Sequence, residues 1–292
     1  MLRRFYKNAK RLIANKMMGI PSKSNYKFII RDWTSLGDLR ACSEVLETKR
    51  FYQNVRPIEM DCPGSKRILV IAPHPDDDLL GAGGTLIKAV EKGSEIHVSY
   101  ITNGDEDPEK SAIIREEMLR VCSKIGTKPH FLGCCEGNIP LNNNSINNNI
   151  LSLVDRLKPS IIFIPFLLDD HDDHRRVNHL LLNIMATKTS RSIEIWSYQI
   201  YSTVIPNVVV NITTQMNKKS ELIRIYKNVK GNRDWAHYMS GINAANCRYI
   251  PSKKQIYVEA FFVLPIKEYL SLCTLYFNRP ANEIYYKESY CT

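Results

Sequence analysis

Short apolar, β-branched runs alternate with amphipathic segments through the middle of the chain. Ile68–Ile71, Ile96–Thr102, the residues around His130–Leu132, Ile161–Pro165 and Ser192–Tyr198 read as strands. The first and fourth are apolar almost without interruption, as in strands covered on both faces. Between the strands, Leu79–Lys92, Glu109–Ile125, Ile150–Leu157 and Arg175–Ala186 carry helical spacing, with Gly93 and Gly126 where helices end and Pro108 near where one begins. This alternation predicts an α/β protein with a Rossmann-like, doubly wound, mostly parallel sheet flanked by helices. Asn142–Asn149 reads as a solvated loop. Beyond Tyr198 the pattern loosens. Val208–Ile212 and Gln255–Leu264 are strand-like, Gln215–Val229 is a basic amphipathic helix, and the aromatic-rich tail from Pro265 is expected to pack over the sheet edge.

Two of the strand ends carry chemistry. Ile68–Ile71 leads into Pro73-His74-Pro75-Asp76-Asp77-Asp78, and Ile161–Pro165 leads into Asp169-Asp170-His171-Asp172-Asp173-His174. In open α/β sheets, ligands bind at the carboxyl ends of strands. Imidazole with carboxylate suits a divalent ion such as zinc, and a catalytic zinc takes three protein ligands and keeps a position for water. The first stretch offers one His and one Asp as ligands, with a neighbouring Asp left as a base; the second offers the third ligand. Gly81, Ala82, Gly83 and Gly84 then allow the next helix to pack close to the sheet. Aspartates in loops are commonly solvated or cap helices. Asp78 could cap the helix that follows it, and Asp169, Asp170 and Asp172 read as solvated charges. His97, His130, His179 and His237 read as structural. Cys134-Cys135 is the one place where a thiol could approach the site.

The two stretches resemble the PIG-L/LmbE-type zinc-dependent N-deacetylases, which remove acetyl groups from N-acetylglucosaminyl substrates. That family's first motif reads (A/P)-H-P-D-D-E and its second H-x-D-H; here they are Pro73–Asp78 and His171–His174. Thr102-Asn103-Gly104, Arg115-Glu116-Glu117 and Glu259-Ala260-Phe261 are weaker echoes, so the likeness spans roughly Arg67–Leu264. Asp78 departs from the pattern, one methylene shorter than the usual Glu. The resemblance implies Zn2+ (or another divalent ion such as Fe2+) on His74, Asp77 and His174. It implies Asp76 as the base that takes a proton from the attacking water, and His171 as the group that stabilises the oxyanion or protonates the leaving amine. It also implies Asp78 and Asp173 as residues supporting the site from behind, Arg115 pointing at the sugar, and an N-acetylated amino-sugar substrate, lipid- or nucleotide-linked among the options. A metal-dependent phosphohydrolase built on His171-Asp172, and a non-catalytic sugar- or membrane-binding relative, stay open as alternatives.

Charge adds an N-terminal arm to this picture. The formal net charge is +10, yet nine cations (Arg3, Arg4, Lys7, Lys10, Arg11, Lys16, Lys23, Lys27, Arg31) precede the first acidic residue, Asp32, which leaves the rest near neutral. Leu2, Phe5, Tyr6, Ala9, Leu12, Ile13 and Met17 share one side of a helical wheel, the pattern of an interfacial helix. The expected organisation is a basic helical extension over 1–60 and a deacetylase domain over 61–292. Residues 1–20 are expected to touch an anionic membrane peripherally. The chain has no signal-peptide core and no spanning run of about 18 apolar residues, so a cytoplasmic location is expected, and no nucleic-acid partner. Eight scattered cysteines without a CxxC pair suit a reducing compartment.

Overall fold

The structure, a computed structural model, describes residues 57–137, 139–186, 192–229, 233–280 and 284–285, together with Glu44. The basic arm, Asp38–Arg50 (apart from Glu44), Tyr286 and Tyr290 lie outside the described residues. The described strands are β1 (Ile58–Glu59), β2 (Arg67–Ala72), β3 (Glu95–Thr102), β4 (Lys128–Cys134), β5 (Ile161–Pro165), β6 (Glu194–Tyr198), β7 (Val208–Asn211) and β8 (Val258–Pro265). They form one sheet in the order β1-β7-β8-β6-β5-β2-β3-β4. The β6-β5-β2-β3-β4 run is parallel, as is the β1-β7 pair, while β8 is antiparallel to both β6 and β7.

The described helices are α1 (Asp77–Glu91), α2 (Pro108–Ile125), α3 (Asn144–Leu157), α4 (Asp172–Met185), α5 (Met216–Ile223), α6 (Trp235–Ala245) and α7 (Ile266–Phe277). Strand side chains alternate between two cores. Ile68, Val70 and Ala72 join the apolar residues of α1, α2, α5 and α6. Leu69 and Ile71 join those of α3, α4 and α7. Helices thus cover both faces, as the alternation predicts. No helix among the described residues is long and apolar enough to cross a membrane. The six described cysteines are free thiols.

Three expectations shift. The Asn-rich stretch is helical from Asn144, because the Asn143 side chain accepts the amides of Ser145 (2.9 Å) and Ile146 (3.2 Å) and caps α3. The basic helix expected over Gln215–Val229 stops at Ile223. Past it, the buried Glu117 carboxylate accepts the amides of Lys227 and Asn228 and holds that backbone in a turn. The aromatic tail begins with a helix, α7, whose Tyr269 and Tyr276 are buried.

Helix α1 carries the first motif at its N-terminus and lies unusually close to its neighbours. A Cβ at Gly81 would overlap the Tyr198 ring, and one at Gly84 would sit 2.6 Å from Ile212 Cδ1. A buried ion pair fixes the helix's depth. Lys219 Nζ donates to Glu259 Oε1 (2.7 Å), to the Leu80 carbonyl (2.9 Å) and to Asn243 Oδ1 (3.1 Å). Glu259 in turn accepts the amides of Gly84 and Thr85, both at 2.8 Å. Every ammonium proton has an acceptor, so the charge is tolerated where an unpaired one would not be. Gly81→Ala is expected to lower stability by about 1–3 kcal/mol, the usual range for overpacking. Gly241→Ala, on α6 with nothing within 4 Å, is expected to raise stability by up to about 1 kcal/mol from helix propensity alone. Urea unfolding of both variants checks the contrast; two shifts of the same sign would mean that the Tyr198 contact yields freely.

Candidate active site

Strands β2 and β5 are neighbours in the sheet. The chain leaves β2 for β3 on one side and returns to β5 on the other, so their carboxyl ends flank a topological switch point. His74, Asp76, Asp77 and Asp78 come from the turn after β2 and the start of α1. His171, Asp173 and His174 come from the start of α4 after β5.

His74 Nδ1 lies 3.0 Å and His174 Nε2 3.3 Å from Asp77 Oδ2, and the two nitrogens are 3.4 Å apart. Ligands about 2.0–2.1 Å from a tetrahedral zinc are separated by about 3.3–3.4 Å, so the three atoms mark one face of such a site. Asp77 Oδ1 is buried without a hydrogen-bond partner, as suits a carboxylate shaped for an ion. Each histidine is held through its other nitrogen, which fixes ring orientation in metal sites. His74 Nε2 is 3.1 Å from Asp173 Oδ2, and His174 Nδ1 is 3.0 Å from Asp169 Oδ1. Asp173 also accepts the amides of Gly137 (2.7 Å) and Ile139 (3.1 Å). His74, His171 and His174 also present nitrogens within 4.8 Å of one another. That trio is looser than the Asp77-centred set, whose atoms lie 3.0–3.4 Å apart.

The electrostatics favour positive charge in the trio. Burial opposes charge on His74 and His174, yet the carboxylates of Asp77, Asp173 and Asp169 overcome it, raising His74 well above its ordinary value and His174 to about 9. Burial likewise opposes charge on Asp77, but the two flanking imidazoles hold it well below the carboxylate range. The pocket stores on its histidines a charge that a dication could supply instead. Asp76, buried beside the Asp77 charge, is pushed up to about 7. His171 is pushed down to about 3 by burial and by the charges of His174 and His74. With Nδ1 accepting the Asp173 amide at 3.2 Å, its proton sits on Nε2.

Several residues depart from their sequence expectations. Asp169 is fully buried rather than solvated, and besides His174 it accepts the amides of His171, Tyr201 and Ser202. Asp172 is also buried. Asp78 does not cap α1; it is buried, accepts the Tyr100 hydroxyl at 3.1 Å, and is pushed to about 7 by burial. Arg115 is exposed on α2 with its guanidinium 4.1 Å over the Phe131 ring. Cys134 turns into the apolar core, and the amides of its loop, not the thiol, reach Asp173. Tyr201, which no motif singles out, stacks on His171 and His174 at 5.8 and 5.4 Å.

Residues 69–185, which hold both motifs, match the PIG-L family, described as GlcNAc-PI de-N-acetylase. The uncharacterized deacetylase YaiS of Escherichia coli is 32% identical over 148 residues, 47% of this chain and 76% of that protein. The chain belongs to the PIG-L family. Another similar protein is the diacetylchitobiose deacetylase of Thermococcus kodakarensis, 27% identical over 186 residues that cover 56% of this chain and 69% of that protein. A 58-residue stretch, 20% of this chain, is 49% identical to a putative glucosamine-6-phosphate deaminase-like protein of Bacteroides thetaiotaomicron, of which it spans only 8%. The fold is shared with the crystal structure of N,N'-diacetylchitobiose deacetylase from Pyrococcus horikoshii in complex with its inhibitor MPG. That likeness has a TM-score of 0.59 at 24% identity and covers 75% of this chain and 89% of that one. Within this PIG-L protein, Tyr201, Lys219, Arg233, Trp235 and Glu259 lie beyond the family-matched residues. The eight-stranded sheet leaves no place for a helical phosphohydrolase.

Proposed function

We propose that this PIG-L protein hydrolyses the acetamide of an N-acetylated amino sugar, releasing acetate and a free amine. The ion it uses is zinc, or a similar divalent ion such as Fe2+, on His74, Asp77 and His174. The observation that carries the reading is the placing of Asp77 Oδ2 between two imidazole nitrogens at 3.0 and 3.3 Å, each imidazole backed by its own carboxylate. The named activities of the T. kodakarensis and P. horikoshii relatives point to the same substrate class.

When bound, the ion supplies a Lewis acid and a water whose pKa falls to about 7. The residues supply the rest. Asp76 takes the proton of the attacking water; its carboxyl, raised toward neutrality by burial, suits a base working near pH 7. Asp77, a ligand standing between the two imidazoles, would be kept ionised by the bound ion and is not free to take that proton. His171 donates from Nε2–H to the amide oxygen as negative charge grows there. Asp76 then returns its proton to the nitrogen, which leaves as the amine while acetate departs. Asp173 and Asp169 keep the rings of His74 and His174 aimed. A panel of N-acetylglucosaminyl compounds assayed for acetate release tests the reading, and a metal-replete protein that releases acetate from none of them overturns it.

We also propose that residues 1–20 hold the protein peripherally on an anionic membrane at its cytoplasmic face. The support is the run of nine cations ahead of Asp32, of which Arg3, Arg4, Lys7, Lys10 and Arg11 lie opposite the apolar stripe; basic residues near an anionic bilayer contribute about 1 kcal/mol each. Co-sedimentation with anionic but not neutral vesicles, weakening as salt rises, is the expected result. Deleting residues 2–20 should abolish it without changing turnover of a small soluble substrate. Indifference of the full chain to anionic vesicles at low salt would end the idea.

A further inference from the structure

A cleft of about 370 Å³ opens beside the histidine cluster, lined by Asp170, His171, Tyr201, Arg233 and Trp235. It shares His171 with the proposed chemistry. Tyr201 forms the common wall, its ring stacked on His171 and on His174. The Tyr201 and Trp235 rings meet at 69° with centroids 5.8 Å apart, and Tyr238 extends the aromatic wall behind Trp235 at 5.6 Å. Such a corner, with few polar groups at its edge, suits a flat, amphipathic ring such as a sugar.

The polar groups are unlike one another. Asp170, its carboxylate 3.9 Å from Arg175, faces the cleft from the side of the second motif. Arg233 stands on the far side, just ahead of α6, exposed, with its guanidinium 5.6 Å from the Trp235 ring centroid. No carboxylate lies within 4 Å of that guanidinium among the described residues. A cation laid along an aromatic platform, with its donor fork left to solvent, is arranged for an anion: arginine meets phosphate oxygens through two parallel hydrogen bonds. A neutral glycoside would use the rings and Asp170 and leave Arg233 idle.

Resting on the deacetylase reading, we propose that this cleft holds the amino-sugar ring together with the group attached to it, and that Arg233 selects substrates in which that group is an anionic phosphoester. The ring of the amino sugar stacks at the Tyr201–Trp235 corner with hydroxyls toward Asp170. The phosphoester extends toward Arg233, away from Asp170. Arg233 and Trp235 lie outside residues 69–185, so this selectivity rests on residues beyond the two motifs.

The test is equilibrium binding of N-acetylglucosamine 1-phosphate and of neutral methyl N-acetylglucosaminide, read by calorimetry on the full-length, metal-loaded protein. The phosphosugar should bind more tightly, and its Kd should rise with salt. Arg233→Gln should weaken it about tenfold, the scale of one charge-assisted contact. Arg233→Lys should retain part of the preference as a point charge. In acetate-release assays the ratio of kcat/KM for phosphosugar over methyl glycoside should fall by a similar factor in Arg233→Gln, through KM. A nucleotide-diphosphate sugar and a phosphatidylinositol-linked sugar in vesicles tell which source of phosphoester is preferred. Equal binding of phosphosugar and methyl glycoside, or an Arg233→Gln protein that keeps the full preference, overturns the subsite. Arg233-dependent phosphosugar binding with no acetate from any compound overturns the deacetylase reading and leaves the subsite standing.

Discussion

His174→Ala is expected to strip most of the bound metal and, with it, nearly all acetate release. His174 Nε2 is one of three atoms 3.0–3.4 Å apart, and its ring is fully buried. Removing it also takes the imidazole partner from the buried Asp169 carboxylate, which keeps only the amides of His171, Tyr201 and Ser202. Loss of a partner behind a ligand typically costs about 10–100-fold in metal affinity or activity. Asp169→Asn is expected in that range and His174→Ala well beyond it. Elemental analysis of the purified variants, with circular dichroism to confirm folding and exposed His237→Ala as the control, makes the measurement. A folded His174→Ala protein that retains full metal would move the ion to His74, Asp77 and His171.

Asp76→Asn should behave differently, keeping the metal and losing about 10²–10⁴-fold in kcat, the usual contribution of a positioned general base. Asn preserves shape but cannot take a proton. The neighbouring Asp77, not Asp76, stands between the imidazoles, so metal content should hold. The sign of the pH effect follows from the need for an ionised base: wild-type activity falls as pH drops through the base's pKa, and the variant's residual rate lacks that acidic limb. Loss of metal in Asp76→Asn would exchange the roles of the two aspartates. Full turnover with metal in place would put the base elsewhere, with Asp78 or Asp173 the next to test.

The contrast between Asp76, Asp77 and Asp169 also marks how far the chain can be read as a string. Strand–helix alternation, the two His/Asp stretches at strand ends and the glycines of α1 are local: each depends on side-chain period or residue type within about a dozen positions. They predicted the α/β sheet and the histidine cluster's place in it. An Asp-Asp doublet before a motif looks like any polar loop, so the local pattern makes Asp169 a solvated charge. Its burial comes from Tyr201 and Ser202, whose amides close over it from 32 and 33 residues away. Resemblance places Arg115 at the sugar; the structure adds that its guanidinium lies 4.1 Å over the Phe131 ring, a contact no sequence pattern specifies.

By itself, then, the sequence determined which segments are apolar enough to become buried strands and which side chains can bind an ion or move a proton, because hydrophobic period and functional-group chemistry are properties of the residues. Only the tertiary structure decided the direction of β8, since a strand covered on both faces has the same composition whichever way it runs. It alone paired Asp173 with His74 across 99 positions and Lys219 with Glu259 across 40. It alone set Arg233 and Trp235 beside His171. Those pairings are between groups far apart in the chain, and they form because a buried charge must find its partner wherever packing has brought one within reach.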